Sequence, residues 1–180
     1  MGLKYLKTMV SVDNPNLALI EMMETYGQDV WNYAYFLTKR RDAADDISQD
    51  VFLKAFQHIR QFEGRSTVKT WLFAITRNLS MNYLRSSFIR KVTLVDRVTA
   101  KDHQRSAEME AIGNMDVSRT WQHVLSLPVK FREVLLLEFH YQLPRREIAA
   151  LLHISEGTVK SRLHRARVRM EALLRGDEAE

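Results

Sequence analysis

The sequence predicts an all-α chain of two small helical domains joined by a flexible linker, the C-terminal one a helix-turn-helix. Three observations lead there. Apolar residues recur at helical spacing almost throughout. Glycine and proline are sparse, 6 and 3 among 180 residues. No segment alternates cleanly at period two, and no Asn-Gly or Asp-Gly hairpin turn occurs.

Aromatic residues crowd the first helical block, 16–88: Tyr26, Trp31, Tyr33, Tyr35, Phe36, Phe52, Phe56, Phe62, Trp71, Phe73 and Tyr83. These are enough large side chains for a core of its own. In DAADDISQDVFLKAFQHI, the residues Ile47, Val51, Phe52, Ala55, Phe56 and Ile59 form an arc for burial. Asp46, Gln49, Asp50 and Leu53 share a separate stripe. Acid, amide, acid and leucine on one face suit docking of another protein's helix, with charge for steering and Leu53 for burial. A merely solvated face accounts for the same acids. A carboxylate metal site would want a His or further acids on a partner helix, and none stands out.

Further along, QFEGRSTVKTWLFAITRNLSMNYLRSS enters a helix near Val68 through a loop holding Gly64 and Ser66. Leu72, Ile75, Leu79 and Tyr83 face one way on it. Thr67, Trp71, Ala74, Asn78, Asn82 and Arg85 lie on another stripe, with Lys69 and Arg77 nearby. An aromatic side chain stacks on unpaired bases, amides read base edges and basic groups hold phosphates. Trp71 as plain core at a helix edge is the competing reading.

Residues 89–115 are polar and charged, short of large apolar side chains after Val98, and read as the linker. The second block, 116–176, ends in YQLPRREIAALLHISEGTVKSRLHRARVRMEALL. Pro144 and Glu147 suit the start of a short helix. Ile148, Ala149, Leu151 and Leu152 give it an apolar side. His153 and Ile154 form the turn, and Ser155 caps the next helix. On that helix Val159, Leu163, Ala166 and Met170 form one narrow stripe at about 100° per residue. Gly157, Ser161, His164, Arg165 and Val168 fall opposite, flanked by Lys160, Arg162, Arg167 and Arg169. An apolar stripe backed by small, polar and basic residues fits a helix that enters a major groove. The charge alone fits a solvated helix of a bundle equally well.

The net charge is +5 and there is no cysteine, which excludes disulfides and thiolate metal sites. The 6 histidines are scattered without ligand spacing. No apolar run approaches the ~20 residues that cross a bilayer. The N-terminal stretch lacks the sustained apolar core of a secretory signal. The expectation is a soluble cytoplasmic protein without metal or cofactor.

The three motifs, in this order and spacing, resemble a bacterial RNA polymerase sigma factor of the extracytoplasmic-function (ECF) group. DDISQDVF is similar to that family's core-polymerase-binding helix. FEGRSTVKTWLFAITRN is similar to its promoter-melting and minus-10-reading segment. LPVKFREVLLLEFHYQLPRREIAALLHISEGTVKSRLHRAR is similar to its minus-35-reading domain. The resemblance implies that Asp46, Gln49 and Asp50 dock on the coiled coil of the largest polymerase subunit, and Leu53 joins them as a member of the same stripe. It implies that Phe62, Ser66, Asn78 and Asn82 help form a pocket for a base flipped from the minus-10 strand, with Trp71 near the upstream edge of the bubble. It implies that Lys160, Ser161, His164 and Arg165 read or clamp minus-35 duplex, and that the linker threads through the polymerase. Promoter DNA, polymerase core and an anti-sigma factor, which can be membrane-anchored, are the implied partners, with no small-molecule substrate. Two departures stand out. Glu63, Gly64 and Arg65 replace the family's common Arg-Gly-acid loop, and His153 stands where a turn glycine is common.

A free-standing helix-turn-helix regulator would account for the C-terminal block only. It would leave the Asp46 stripe and the Trp71 segment without a role. An enzyme would need a phosphate-binding glycine loop, a nucleophile–base pair or a metal cluster, and the sequence offers none of these.

Overall fold

The computed structural model describes residues 15–94 and 119–177, which divide between two compact units, one within residues 1–99 and one within 100–180. Among the described residues the regular structure is helical.

The first unit packs three long helices, α1 (Pro15–Thr38), α2 (Arg41–His58) and α3 (Val68–Leu94), each against the other two. α1 stops because Lys39 turns left-handed, at φ 60°, while its N–H still reaches the Tyr35 carbonyl at 2.7 Å. α2 tightens into a 3-10 turn, Ile59–Gln61. Thr67 caps α3, its Oγ1 accepting the Thr70 N–H at 3.1 Å. The Ile47, Val51, Phe52, Ala55 and Ile59 arc is buried as the helical period requires, and Phe56 is half-buried. At the centre the rings of Tyr33 and Phe73, both fully buried, meet at 4.9 Å between centroids. The α3 helix extends to Leu94 and so takes in the first residues of the expected 89–115 linker. Positions 95–115 of that linker lie outside the described residues.

The inward face of α3 differs from its apolar stripe. Leu72 is fully buried, but Ile75, Leu79 and Tyr83 are half-buried along the edge. Phe73, Thr76 and Ser80 lie at full depth instead. Thr76 is tolerated there because its hydroxyl donates to the Leu72 carbonyl at 2.8 Å.

The second unit contains α4 (Arg119–Ser126), α5 (Val129–Leu135), a π-helical turn (Leu136–His140), α6 (Arg145–Leu152) and α7 (Glu156–Asp177). α4, α5 and α6 all pack on α7. The buried Arg132 closes α4 by donating from one guanidinium nitrogen to the Leu125 and Leu127 carbonyls, at 2.8 and 3.0 Å. Burial pushes its pKa down to about 10. Pro144 stands at the cap of α6 rather than inside its first turn. Ile148, Ala149, Leu151 and Leu152 are buried under it. His153 ends α6 in the left-handed region, φ 54° and ψ 47°. Ser155 Oγ then accepts the Thr158 N–H at 3.1 Å and starts α7.

Candidate functional site

Three exposed surfaces carry the residues singled out in the sequence. The first is the outer side of α2. Asp46, Gln49 and Asp50 are exposed, and Leu53 is 55% exposed. They form one side of a helix whose other side is core, so they stand free of any packing role. At their edge lies a cluster that the sequence did not reveal. Trp31 donates its indole N–H to Asp45 Oδ1 at 2.6 Å. Its ring stacks on Tyr35 at 5.4 Å and lies under the Arg41 guanidinium at 5.9 Å. These residues come from two helices, so no local period could have linked them.

The second surface begins at the 3-10 turn and runs along α3. Phe62 and Trp71 lie side by side, centroids 4.9 Å apart, each half-buried against the core. Trp71 is thus both core edge and exposed aromatic surface. Ser66 is half-exposed in the entering loop, its hydroxyl directed at the Thr67 carbonyl at 3.3 Å. Asn78 and Asn82 are exposed farther along the same stripe. At about 1.5 Å rise per residue, the run from Trp71 to Asn82 covers roughly 16 Å. The structure therefore pairs Phe62 with Trp71 near the start of α3, leaves Ser66 in the loop that precedes the helix, and places the two asparagines farther along it. Lys69 belongs to the packing, since it pairs with Asp29 of α1 at 2.8 Å and lies 5.7 Å over Phe73. Of the unusual loop residues, Arg65 pairs with Glu63 at 2.6 Å, and Gly64 takes φ 71°.

The third surface is the outer side of α7. Val159, Leu163 and Ala166 are buried and Met170 is half-buried. Gly157, Lys160, Ser161, His164, Arg165 and Val168 are exposed opposite them. Ser161 donates its hydroxyl to the Thr158 carbonyl at 3.0 Å, which keeps that part of the helix surface low. Four exposed cations, Lys160, Arg165, Arg167 and Arg169, surround the small residues. A duplex can approach closely there and meet positive charge on both sides. Among the described residues no group of acids and histidines is placed to hold a metal ion, and no helix is long and apolar enough to cross a membrane.

Comparison with known proteins accounts for both units. The sigma-70 region 2 family matches residues 22–87, and the sigma-70 region 4 family matches residues 122–170. The ECF RNA polymerase sigma factor SigM of Bacillus subtilis (strain 168) is 31% identical over 158 residues, covering 87% of this chain and 95% of SigM. The chain belongs to the ECF RNA polymerase sigma factors. This sigma factor binds RNA polymerase and directs transcription. The ECF sigma factor SigC of Mycobacterium tuberculosis (strain CDC 1551 / Oshkosh) is likewise 31% identical, over 150 residues, covering 83% of this chain and 80% of SigC. Among solved structures, the sigma factor RpoE in complex with the anti-sigma factor NepR from Bartonella quintana superposes with a TM-score of 0.69. It is 28% identical, and the match covers 86% of this chain and 95% of RpoE. The region 2 match takes in the Asp46 stripe and the Trp71 segment, which a free-standing regulator would leave unexplained.

Proposed function

We propose that this sigma factor works as a binding module with three separate contacts and no chemistry of its own. The outer side of α2, with Asp46, Gln49, Asp50 and Leu53, docks on the coiled coil of the largest polymerase subunit. The three polar residues steer the approach and Leu53 is buried on contact. Phe62, Ser66, Trp71, Asn78 and Asn82 take up the minus-10 strand once it is unpaired, the aromatic pair stacking and the amides reading. Lys160, Ser161, His164 and Arg165 engage minus-35 duplex in the major groove. An anti-sigma factor, which can be membrane-anchored, holds the chain until it is released, a reading supported by the NepR-bound relative. The protein acts in the cytoplasm, without cofactor or small-molecule substrate.

The observation that carries this reading is the exposed α2 stripe, which the packing of the first unit does not use. Asp46→Lys tests it directly. Titrating labelled protein into purified core should give weaker binding with an unchanged circular dichroism spectrum. Unchanged affinity would rule out α2 as the docking surface.

A further inference from the structure

Glu138 lies in the π-helical turn that precedes α6, with its side chain only 16% exposed. Its Oε1 accepts a hydrogen bond from Arg145 Nε at 2.8 Å. Its Oε2 is buried, accepts no hydrogen bond, and lies 3.8 Å from a guanidinium nitrogen of Arg167. Arg145 opens α6 and Arg167 stands on α7, where its guanidinium also lies 5.1 Å over the Phe139 ring. One carboxylate therefore sits between cations from both helices of the helix-turn-helix.

This arrangement is a poor way to gain stability. Pairs with half-exposed arginines contribute little, and a carboxylate with an unfilled oxygen is costly to bury. Its electrostatic consequence is larger. Each cation that neutralises a phosphate releases a counterion and adds about 0.9 to the slope of log affinity against log salt. A guanidinium already balanced by a carboxylate adds less. The side chains of Arg145 and Arg167 are 46% and 51% exposed, so phosphates could reach both if Glu138 were neutral.

We propose that Glu138 is a positioning residue that restrains sequence-independent DNA binding by holding Arg145 and Arg167, and so sets the strength and salt dependence of duplex binding. Base reading from Lys160, Ser161, His164 and Arg165 is left untouched, while the phosphate attraction that every duplex shares is lowered. The proposal rests on the reading of α7 as the duplex-facing helix.

The test uses full-length protein with polymerase core. Salt-dependent affinities are measured for a promoter duplex selected from a random library and for a scrambled duplex of equal length. Glu138→Gln should bind the promoter and the scrambled duplex alike more tightly, steepen both salt slopes by about one to two counterions, and leave the promoter-to-scrambled ratio unchanged. Adding Arg145→Gln and Arg167→Gln should return the slope to its starting value. An unchanged or shallower slope in a folded Glu138→Gln protein overturns the proposal. Should that variant unfold, the Arg145→Gln, Arg167→Gln pair beside the native Glu138 decides. A loss of well under two counterions supports the restraint, and loss of two overturns it. Arg165→Ala in the same assay separates the two readings. If it leaves promoter preference unchanged, α7 is not the base-reading helix, whereas the slopes of the Glu138 variants report only on the restraint.

Discussion

Arg165 and Lys160 differ in where they stand on α7, and that difference decides what each can do. Arg165 lies near the middle of the outer face, where its paired N–H groups can meet a guanine edge. Lys160 lies at the flank, where a phosphate contact is the natural one. Arg165→Ala should cost about 1–3 kcal/mol and relax preference at one base position. Lys160→Ala should weaken all duplexes alike and lower the salt slope by about one counterion. Affinities of the holoenzyme variants over single-base promoter variants check both, and a uniform loss with Arg165→Ala would reassign that residue to the backbone. His153 makes a different point. It holds φ 54° at the end of α6, a left-handed conformation that costs a residue with a Cβ about 1–2 kcal/mol. His153→Gly should therefore stabilise the second unit by up to about 1 kcal/mol, read by denaturant unfolding. The side chain is exposed, so little packing is lost in exchange.

Each helix of the second unit depends on a particular end. α4 is a short helix, and Arg132 from α5 satisfies the Leu125 carbonyl in its last turn and the Leu127 carbonyl just past its end. A charged donor of this kind contributes about 1.5–3 kcal/mol per hydrogen bond. Arg132→Ala should lower the stability of the second unit by about 2–4 kcal/mol and open α4 to hydrogen exchange before α6 and α7. Equal protection across the three helices would mean that Arg132 is only space-filling. In the first unit, α2 and α3 each divide between one buried and one exposed side. On α2 the proposed docking surface and the core therefore share a helix without sharing residues, so that exposed side can be altered at little structural cost, whereas on α3 Trp71 belongs to both sides.

Each unit has a core of its own. Leu72 and Ile148 are both fully buried, one in each unit. Truncating either to alanine should cost its own unit about 2–5 kcal/mol. Hydrogen exchange should show protection falling across α1 to α3 with Leu72→Ala and across α5 to α7 with Ile148→Ala, each without the other. Distant sites with no shared partners respond independently. A loss of protection in α1 to α3 with Ile148→Ala would show that the two cores unfold as one.

Much of the molecule was legible in the chain because the information is local. A period of 3.6 residues separates Ile47 and Val51 from Asp46 and Asp50, and Val159 and Leu163 from Ser161 and Arg165, before any partner helix is known. Ser155 announced the start of α7 because its hydroxyl needs only an N–H three residues on. What lies opposite each helix is non-local, and only the tertiary structure decided it. Thr76 and Ser80 went to full depth in α3 while Ile75 and Leu79 stayed at the edge. Facing helices choose the buried angle; the Thr76 hydroxyl satisfies itself on the Leu72 carbonyl, while the Ser80 hydroxyl is buried without a hydrogen bond. Trp71 came out half core because Phe62 packs beside it. Trp31 found Asp45, and Glu138 found Arg145 and Arg167, across breaks in the helices that carry no period. Sequence alone determined which sides of the helices are free to bind. The fold determined which polar groups on those sides are already engaged, because hydrogen bonds and ion pairs form between whatever packing brings within reach.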